Sequence, residues 1–220
     1  MASEDNKVVI EPNRSLHISL KSETEKTSDI VDNVITMLSN RVYFEKSGTR
    51  KNLIEKGETR KSLEDKGLFE DKGNNAYTVK VNNGEHYVFK IVYDKITAVG
   101  KQSVINDFFK DYAQHKKILI AQEYNKKIHD YVTKNHTQIF LVSSFLQDII
   151  SHRDQPEFEV LSSREIEAVK TEYNINEYTT KKYLRSDPVV KYFGLKKGDI
   201  VRIIRPSIIS GKAIDYRIVV

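Results

Sequence analysis

No cysteine occurs among the 220 residues, which excludes disulfides, thiolate-ligated metals and a thiolate nucleophile. The six histidines lie scattered between His17 and His152 without the paired spacing of imidazole ligands, so neither a metal nor any other cofactor is expected. No apolar run reaches membrane-spanning length, and residues 1–29 are mostly polar and lack an apolar h-region, so neither a membrane span nor a signal peptide is expected. The nine glycines stand mostly singly, among charged residues or at strand ends, which argues against a glycine loop cradling phosphates. A Gly-x-Ser-x-Gly elbow is also missing, and Ser207 after Pro206 reads as a turn hydroxyl rather than a nucleophile.

What remains is a globular composition, 39% hydrophobic and 30% charged, with length enough for one large core or two modest ones. Lys and Arg number 36 against 31 Asp and Glu, a net charge of +5. That excess permits attraction to nucleic acid but falls well short of a histone-like surface, and a well-solvated exterior accounts for it equally. Lysine outnumbers arginine, and Asn and Ile are abundant, the bias of an AT-rich genome.

Residues 1–28, rich in Ser, Glu, Lys and Thr, read as a polar extension that is at most partly ordered. From Asp29 onward, Ile30, Val31, Val34, Ile35 and Leu38 share one helical face. Between Thr49 and Leu68 the chain nearly repeats itself, TRKNLIEKGE followed by TRKSLEDKGL. Two copies are too few for a solenoid, so a charged surface segment of helical turns is expected. Tyr77, Val79 and Val81, then Asn82-Asn83-Gly84, then Tyr87, Phe89 and Ile91 give a hairpin signal, with Asn-Gly supplying positive φ at the turn. Phe108 and Tyr112 continue a helix face from Val104, and residues 117–121 and 138–142 read as buried strands around a helix near 123–131. This βαβ-like order predicts a mixed α/β layer structure. Pro156 marks a junction between residues 143 and 159, within the stretch His152-Arg153-Asp154-Gln155-Pro156, and Ser162 with Glu165 forms a capping box opening the next helix.

The C-terminal residues are the most informative. Asp187 suits a helix N-cap, Pro188 the first helical position and Gly194 the left-handed residue past the last turn. A turn through Gly198 follows, then β-branched runs at 199–205 and 213–219, separated by a loop between Pro206 and Gly211. The wording DPVVKYFGLKKGDIVRIIRPS and YRIVV closely resembles the C-terminal domain of the small fifth subunit shared by the nuclear RNA polymerases, which has an archaeal counterpart. Before residue 140 the resemblance rests on the order of elements. The archaeal counterpart is short and lacks a jaw, so a chain of this length is similar to the eukaryotic type.

The resemblance implies an α+β fold in two domains: a jaw over residues 29–145, with a nuclease-like mixed α/β layer fold lacking an active site, and a small α+β assembly domain over 146–220 with a short β-sheet. It implies a non-catalytic subunit of a multisubunit DNA-dependent RNA polymerase, one copy per hetero-oligomer, docked on the largest subunit beside the other polymerase subunits. The docking residues it points to are Asp187, Pro188, Tyr192, Gly194, Gly198, Arg202, Arg205, Pro206, Tyr216 and Arg217. Arginine forks there can pair carboxylates bidentately, and the aromatics also suit the core. Downstream duplex DNA would meet Tyr124, Asn125, Lys126 and Lys127, in a loop after the 117–122 strand, through phosphates and without sequence preference. The family's Gly and Pro are missing from that loop, and a solvated helix start explains the same letters. The implied location is intracellular: virion and host cytoplasm for a viral gene, nucleus for a cellular one. The divergent jaw and the base composition favour a large DNA virus over a protist.

Two rival readings stay open. The family's jaw resembles metal-dependent nucleases built on an acid-x-Lys triplet, and Glu64-Asp65-Lys66 and Glu70-Asp71-Lys72 both have that spacing. Both triplets are expected in the charged segment before the first clear strand, where carboxylate geometry is loose. The other rival is a free transcription factor that uses the same docking module.

Overall fold

A computed structural model describes residues 21–96, 104–146, 150, 155–175 and 178–220. Residues 1–20 of the polar extension, and His152, Arg153 and Asp154 of the expected junction, lie outside the described residues.

Helix α1 (Glu23–Asn40) opens on a capping box, in which Ser22 Oγ accepts from the Glu25 N–H at 3.3 Å and the Glu25 carboxylate accepts from the Ser22 N–H at 2.8 Å. The helix therefore starts well before Asp29, and residues 23–28 belong to it rather than to a disordered extension. The apolar stripe marks only the buried length, whereas the box sets the start. Ile30, Val31, Val34, Ile35, Met37 and Leu38 are all buried, each contributing about 1.5–3 kcal/mol relative to exposure.

The near-repeat does not form one kind of structure. Its first copy supplies β2 (Arg50–Asn52), paired antiparallel with β1 (Val42–Phe44), while its second supplies α2 (Arg60–Asp65), capped by the Thr59 hydroxyl. The expected run of helical turns is thus half strand. Both copies bury their leucine, Leu53 and Leu63, in the same core.

Strands β3 (Phe69–Asp71), β4 (Ala76–Lys80), β5 (His86–Ile96), β6 (Lys116–Tyr124) and β7 (Thr137–Leu141) form one sheet in that order. It is antiparallel from β3 to β5 and parallel from β5 to β7. Helices α3 (Val104–Asp111) and α4 (Lys126–Lys134) lie in the two parallel connections. One face packs Tyr77, Val79, Phe89 and Ile118 against α1 and Leu63, while the other packs Val88, Leu119 and Ala121 against Phe108, Ile128 and Val132. The β4–β5 turn falls on Asn82-Asn83-Gly84 as expected, but not with positive φ at both Asn83 and Gly84. Val81 N–H donates to the Glu85 carbonyl at 3.0 Å, and Gly84 alone takes a positive φ, at 82°. Asn83 keeps a negative φ, so the glycine alone carries the left-handed backbone of this turn.

The remaining elements are β8 (Glu157–Val160), α5 (Ser163–Tyr173), β9 (Lys181–Tyr183), α6 (Pro188–Phe193), β10 (Ile200–Ser207) and β11 (Gly211–Val219). Their four strands pair in the order β8-β10-β11-β9, with only β9–β11 parallel. Helix α5 covers one face through Val169 against Ile200 and Ile218; α6 covers the other through Val190 against Val201, Ile203 and Val219. Pro206 does not end β10 as expected. It lies opposite Lys212, beyond the last residue paired with β8, where a missing N–H forfeits no ladder bond on that side. The architecture is α+β, and among the described residues no helix is long and apolar enough to cross a membrane.

Arg41 ties the two larger sheets together. It is 4% exposed and caps α1, its N–H donating to the Met37 carbonyl at 3.1 Å. Its guanidinium donates from Nε to the Tyr192 carbonyl at 2.7 Å, and from Nη2 to Gln138 Oε1 at 2.8 Å and the Lys191 carbonyl at 3.1 Å. Burial pulls its pKa down, while the phenols of Tyr87 and Tyr192 act against that fall. Replacing Arg41 by Met strips three acceptors of a charged donor. The expected loss is about 2–4 kcal/mol in urea-unfolding stability, with a smaller loss for Arg41→Lys. An Arg41→Met midpoint equal to that of the unsubstituted chain would refute the role given to this contact.

Candidate docking and nucleic-acid interface

Helix α6 is built as its letters require. Asp187 Oδ1 accepts from the Val189 N–H at 2.8 Å, Pro188 occupies the first helical position, and Gly194 closes the helix at φ 66°, ψ 32°. Gly194 is also a close approach. A Cβ there would lie 3.4 Å from Arg41 Cζ and 3.5 Å from Gln138 Nε2. The Tyr192 hydroxyl accepts from Asn40 Nδ2 at 2.9 Å, and its ring packs on the core of the five-stranded sheet. Tyr192 and Gly194 therefore serve the seam within this chain. Gly198, at φ 92°, donates its N–H to the Val219 carbonyl at 2.9 Å and so sets the turn into β10.

The three arginines of the sheet differ in what they leave available. Arg202 pairs with Glu159 at 3.1 Å and stands 5.8 Å over the Tyr216 ring, which in turn lies beside Tyr173. Arg217 covers Tyr183 at 4.6 Å, with Nε 4.0 Å from Asp215. Each keeps a buried Nε without a hydrogen-bond partner. Arg205 and Pro206, by contrast, are exposed at the free end of the β10–β11 hairpin.

Of the two readings of the basic stretch, a loop or a helix start, the structure takes the helix start. Tyr124 ends β6 with its ring stacked on His129, Asn125 caps α4 by accepting from the Ile128 N–H at 3.0 Å, and Lys126 and Lys127 form the first turn. A single residue makes the connection, because an asparagine cap lets the chain pass directly from strand to helix. Both lysines are exposed. Tyr124 also meets Pro188 and Tyr192 in one apolar recess of about 200 Å³, which joins candidates from distant parts of the chain.

The acid-x-Lys triplets do not converge. Glu64, at the end of α2, pairs with Arg60 at 2.8 Å, and Lys66 pairs with Glu58. The second triplet was expected ahead of any strand, yet Glu70 and Asp71 lie on β3, a three-residue strand with no period-2 pattern long enough to read. Glu70 pairs with Lys72, and Asp71 Oδ1 accepts from the Gly73 N–H at 2.8 Å. Among the described residues no three His, Asp or Glu side chains gather as a metal would need.

Two features escaped the sequence. Arg41 carried no signal, since a lone arginine after a helix usually faces solvent. Ile208 and Ile209 did carry one, because two β-branched residues in a hairpin turn run against ordinary turn chemistry.

Residues 147–219 match the family model described as RNA polymerase Rpb5, C-terminal domain, which puts this part of the chain in the class of polymerase-subunit domains. Over 211 residues, 96% of the chain and 100% of the relative, it is 46% identical to DNA-directed RNA polymerase subunit 5 of Acanthamoeba polyphaga mimivirus. The chain belongs to the DNA-directed RNA polymerase subunit 5 family. It is also 34% identical over 95 residues to the RPABC1 subunit of RNA polymerases I, II and III of Caenorhabditis elegans, covering 43% of the chain and 45% of that protein. The archaeal Rpo5 of Methanocaldococcus jannaschii is 36% identical over 72 residues, 33% of the chain and 92% of that protein.

Gly194→Val should destabilise the chain by about 1–2 kcal/mol through its left-handed backbone alone, and further by pushing on Arg41. Chemical denaturation of the full chain measures this. An unchanged midpoint would mean that the glycine is needed neither for its φ nor for its lack of a side chain.

Proposed function

We propose that the protein is a non-catalytic subunit of a multisubunit DNA-directed RNA polymerase, a complex subunit rather than a stand-alone enzyme. The observation that carries this reading is the 46% identity along 96% of the chain with the mimivirus subunit. On this reading the four-stranded sheet with α5 and α6, residues 146–220, is the assembly domain that docks on the largest subunit. The five-stranded sheet with α1 to α4 is the jaw, its start drawn back from residue 29 to Glu23. The match of the family model to residues 147–219 supports that division. Likeness to a viral subunit over nearly the whole chain supports a large-DNA-virus source, with the protein in virion and host cytoplasm.

The jaw contributes positive charge beside downstream duplex. Lys126 and Lys127 sit at the N-terminus of α4, where cations oppose the helix dipole and lower local stability. A placement that costs the helix a few tenths of a kcal/mol fits a role outside it, contact with phosphates. No sequence preference is expected, because a polymerase translocates over every base pair.

Reconstitution with the large polymerase subunits tests the assignment. The full chain should enter the complex, and a fragment from Ser151 onward should suffice. Exclusion of that fragment together with entry of residues 1–150 alone would reverse the domain roles. In the assembled enzyme, Lys126→Ala with Lys127→Ala should weaken retention of downstream DNA and flatten its salt dependence by about one unit of slope per lost phosphate contact. If the purified chain instead cleaves duplex DNA with magnesium, and Glu64→Gln with Glu70→Gln abolishes the cleavage, the subunit reading falls to the nuclease one.

A further inference from the structure

The free end of the β10–β11 hairpin carries two isoleucines that pack on nothing in this chain. Ile208 is 106% exposed and Ile209 99%, and Ile214, opposite Ile204 in the ladder, is 58% exposed. Single exposed aliphatics are ordinary, but an adjacent pair at a turn is not, since turns favour Gly, Asn, Asp, Ser and Pro for backbone reasons. The turn is also held in shape. Ser210 N–H donates to Ser207 Oγ at 3.3 Å, Ser210 Oγ donates to the Lys212 carbonyl at 3.0 Å, and Ser207 pairs with Gly211 across the strands. The isoleucines are thus presented by a turn with hydrogen bonds of its own, and every turn contact made before binding lowers the entropic cost of burying them.

Charge indicates what covers them. Residues 200–214 contain no Asp or Glu, and Arg205 and Lys212 flank the tip without entering an ion pair among the described residues. A second copy meeting this tip end to end would bring four cations together, and a phosphate surface would leave the isoleucines unburied. Two side chains on a hairpin also offer too little apolar area to hold a membrane surface.

We propose that the hairpin end is a plug: Ile208 and Ile209 enter an apolar recess with an acidic rim on a partner polymerase subunit, with Arg205 and Lys212 meeting the rim. This rests on the docking reading above and names the contact within it. Aliphatic anchors buried in a desolvated pocket carry a large share of interface energy, while rim charges mainly set association rate and salt sensitivity.

The test uses the full chain and the partner subunits in reconstitution. Ile208→Ser with Ile209→Ser should keep the thermal midpoint of the free protein, because neither side chain touches the fold, yet weaken incorporation at least about tenfold. Ile208→Leu with Ile209→Leu should restore it. Arg205→Glu with Lys212→Glu should slow assembly, most strongly at low salt. Incorporation of the serine pair equal to that of the unsubstituted chain would overturn the plug while leaving docking to other residues. Failure of the unsubstituted chain to incorporate would remove both readings. Self-association of the free chain that the serine pair abolishes would make the occupant a second copy and likewise overturn the proposal.

Discussion

A single buried guanidinium holds the molecule's parts in register. Desolvating a cation costs several kcal/mol unless its donors are all engaged, and Arg41 finds its acceptors on the carbonyls of Lys191 and Tyr192 and the amide oxygen of Gln138. Those acceptors come from the last turn of α6 and from β7, far apart in sequence. Once the charge is committed there, neighbouring choices follow. Gly194 must lack a side chain, Tyr192 must turn toward Asn40, and the short helix α6 must keep its left-handed end. A second tie, Arg50 to Glu165 at 3.2 Å, joins β2 to the start of α5.

This seam gives the C-terminal module two unlike sides. Its inner side, α6 with Tyr192 and Gly194, is occupied by the rest of the chain; its outer side runs along β10 and β11 to the exposed hairpin end. A partner held on the outer side would be coupled mechanically to the five-stranded sheet through packed helices and buried hydrogen bonds rather than through a slack linker. The basic first turn of α4 would then hold a set distance from the docking surface.

The near-repeat shows how little identical letters decide alone. Thr49-Arg50-Lys51 and Thr59-Arg60-Lys61 begin alike, and each is followed three residues past its arginine by a leucine that is buried. Arg50 pairs in a ladder with Phe44 and reaches Glu165, whereas Thr59 finds an open N–H at Ser62 and starts a helix. Propensities of a few tenths of a kcal/mol per residue are outweighed by the strand partner that tertiary structure puts beside the first copy.

The sequence by itself determined what depends on local chemistry. The cap, proline and glycine of α6, the box opening α5, the β-branched strands β10 and β11, and the α+β composition were all legible, because each acts on backbone within a few residues. Family membership was legible too, in the long run of letters from Asp187 to Ser207. Tertiary structure decided the remainder. Three-residue strands such as β1, β2, β3 and β9 exist because a neighbour pairs with them, and Arg41 was drawn inward by acceptors on β7 and α6, far along the chain. These outcomes belong to contacts between residues distant in sequence, whose energies no local pattern records.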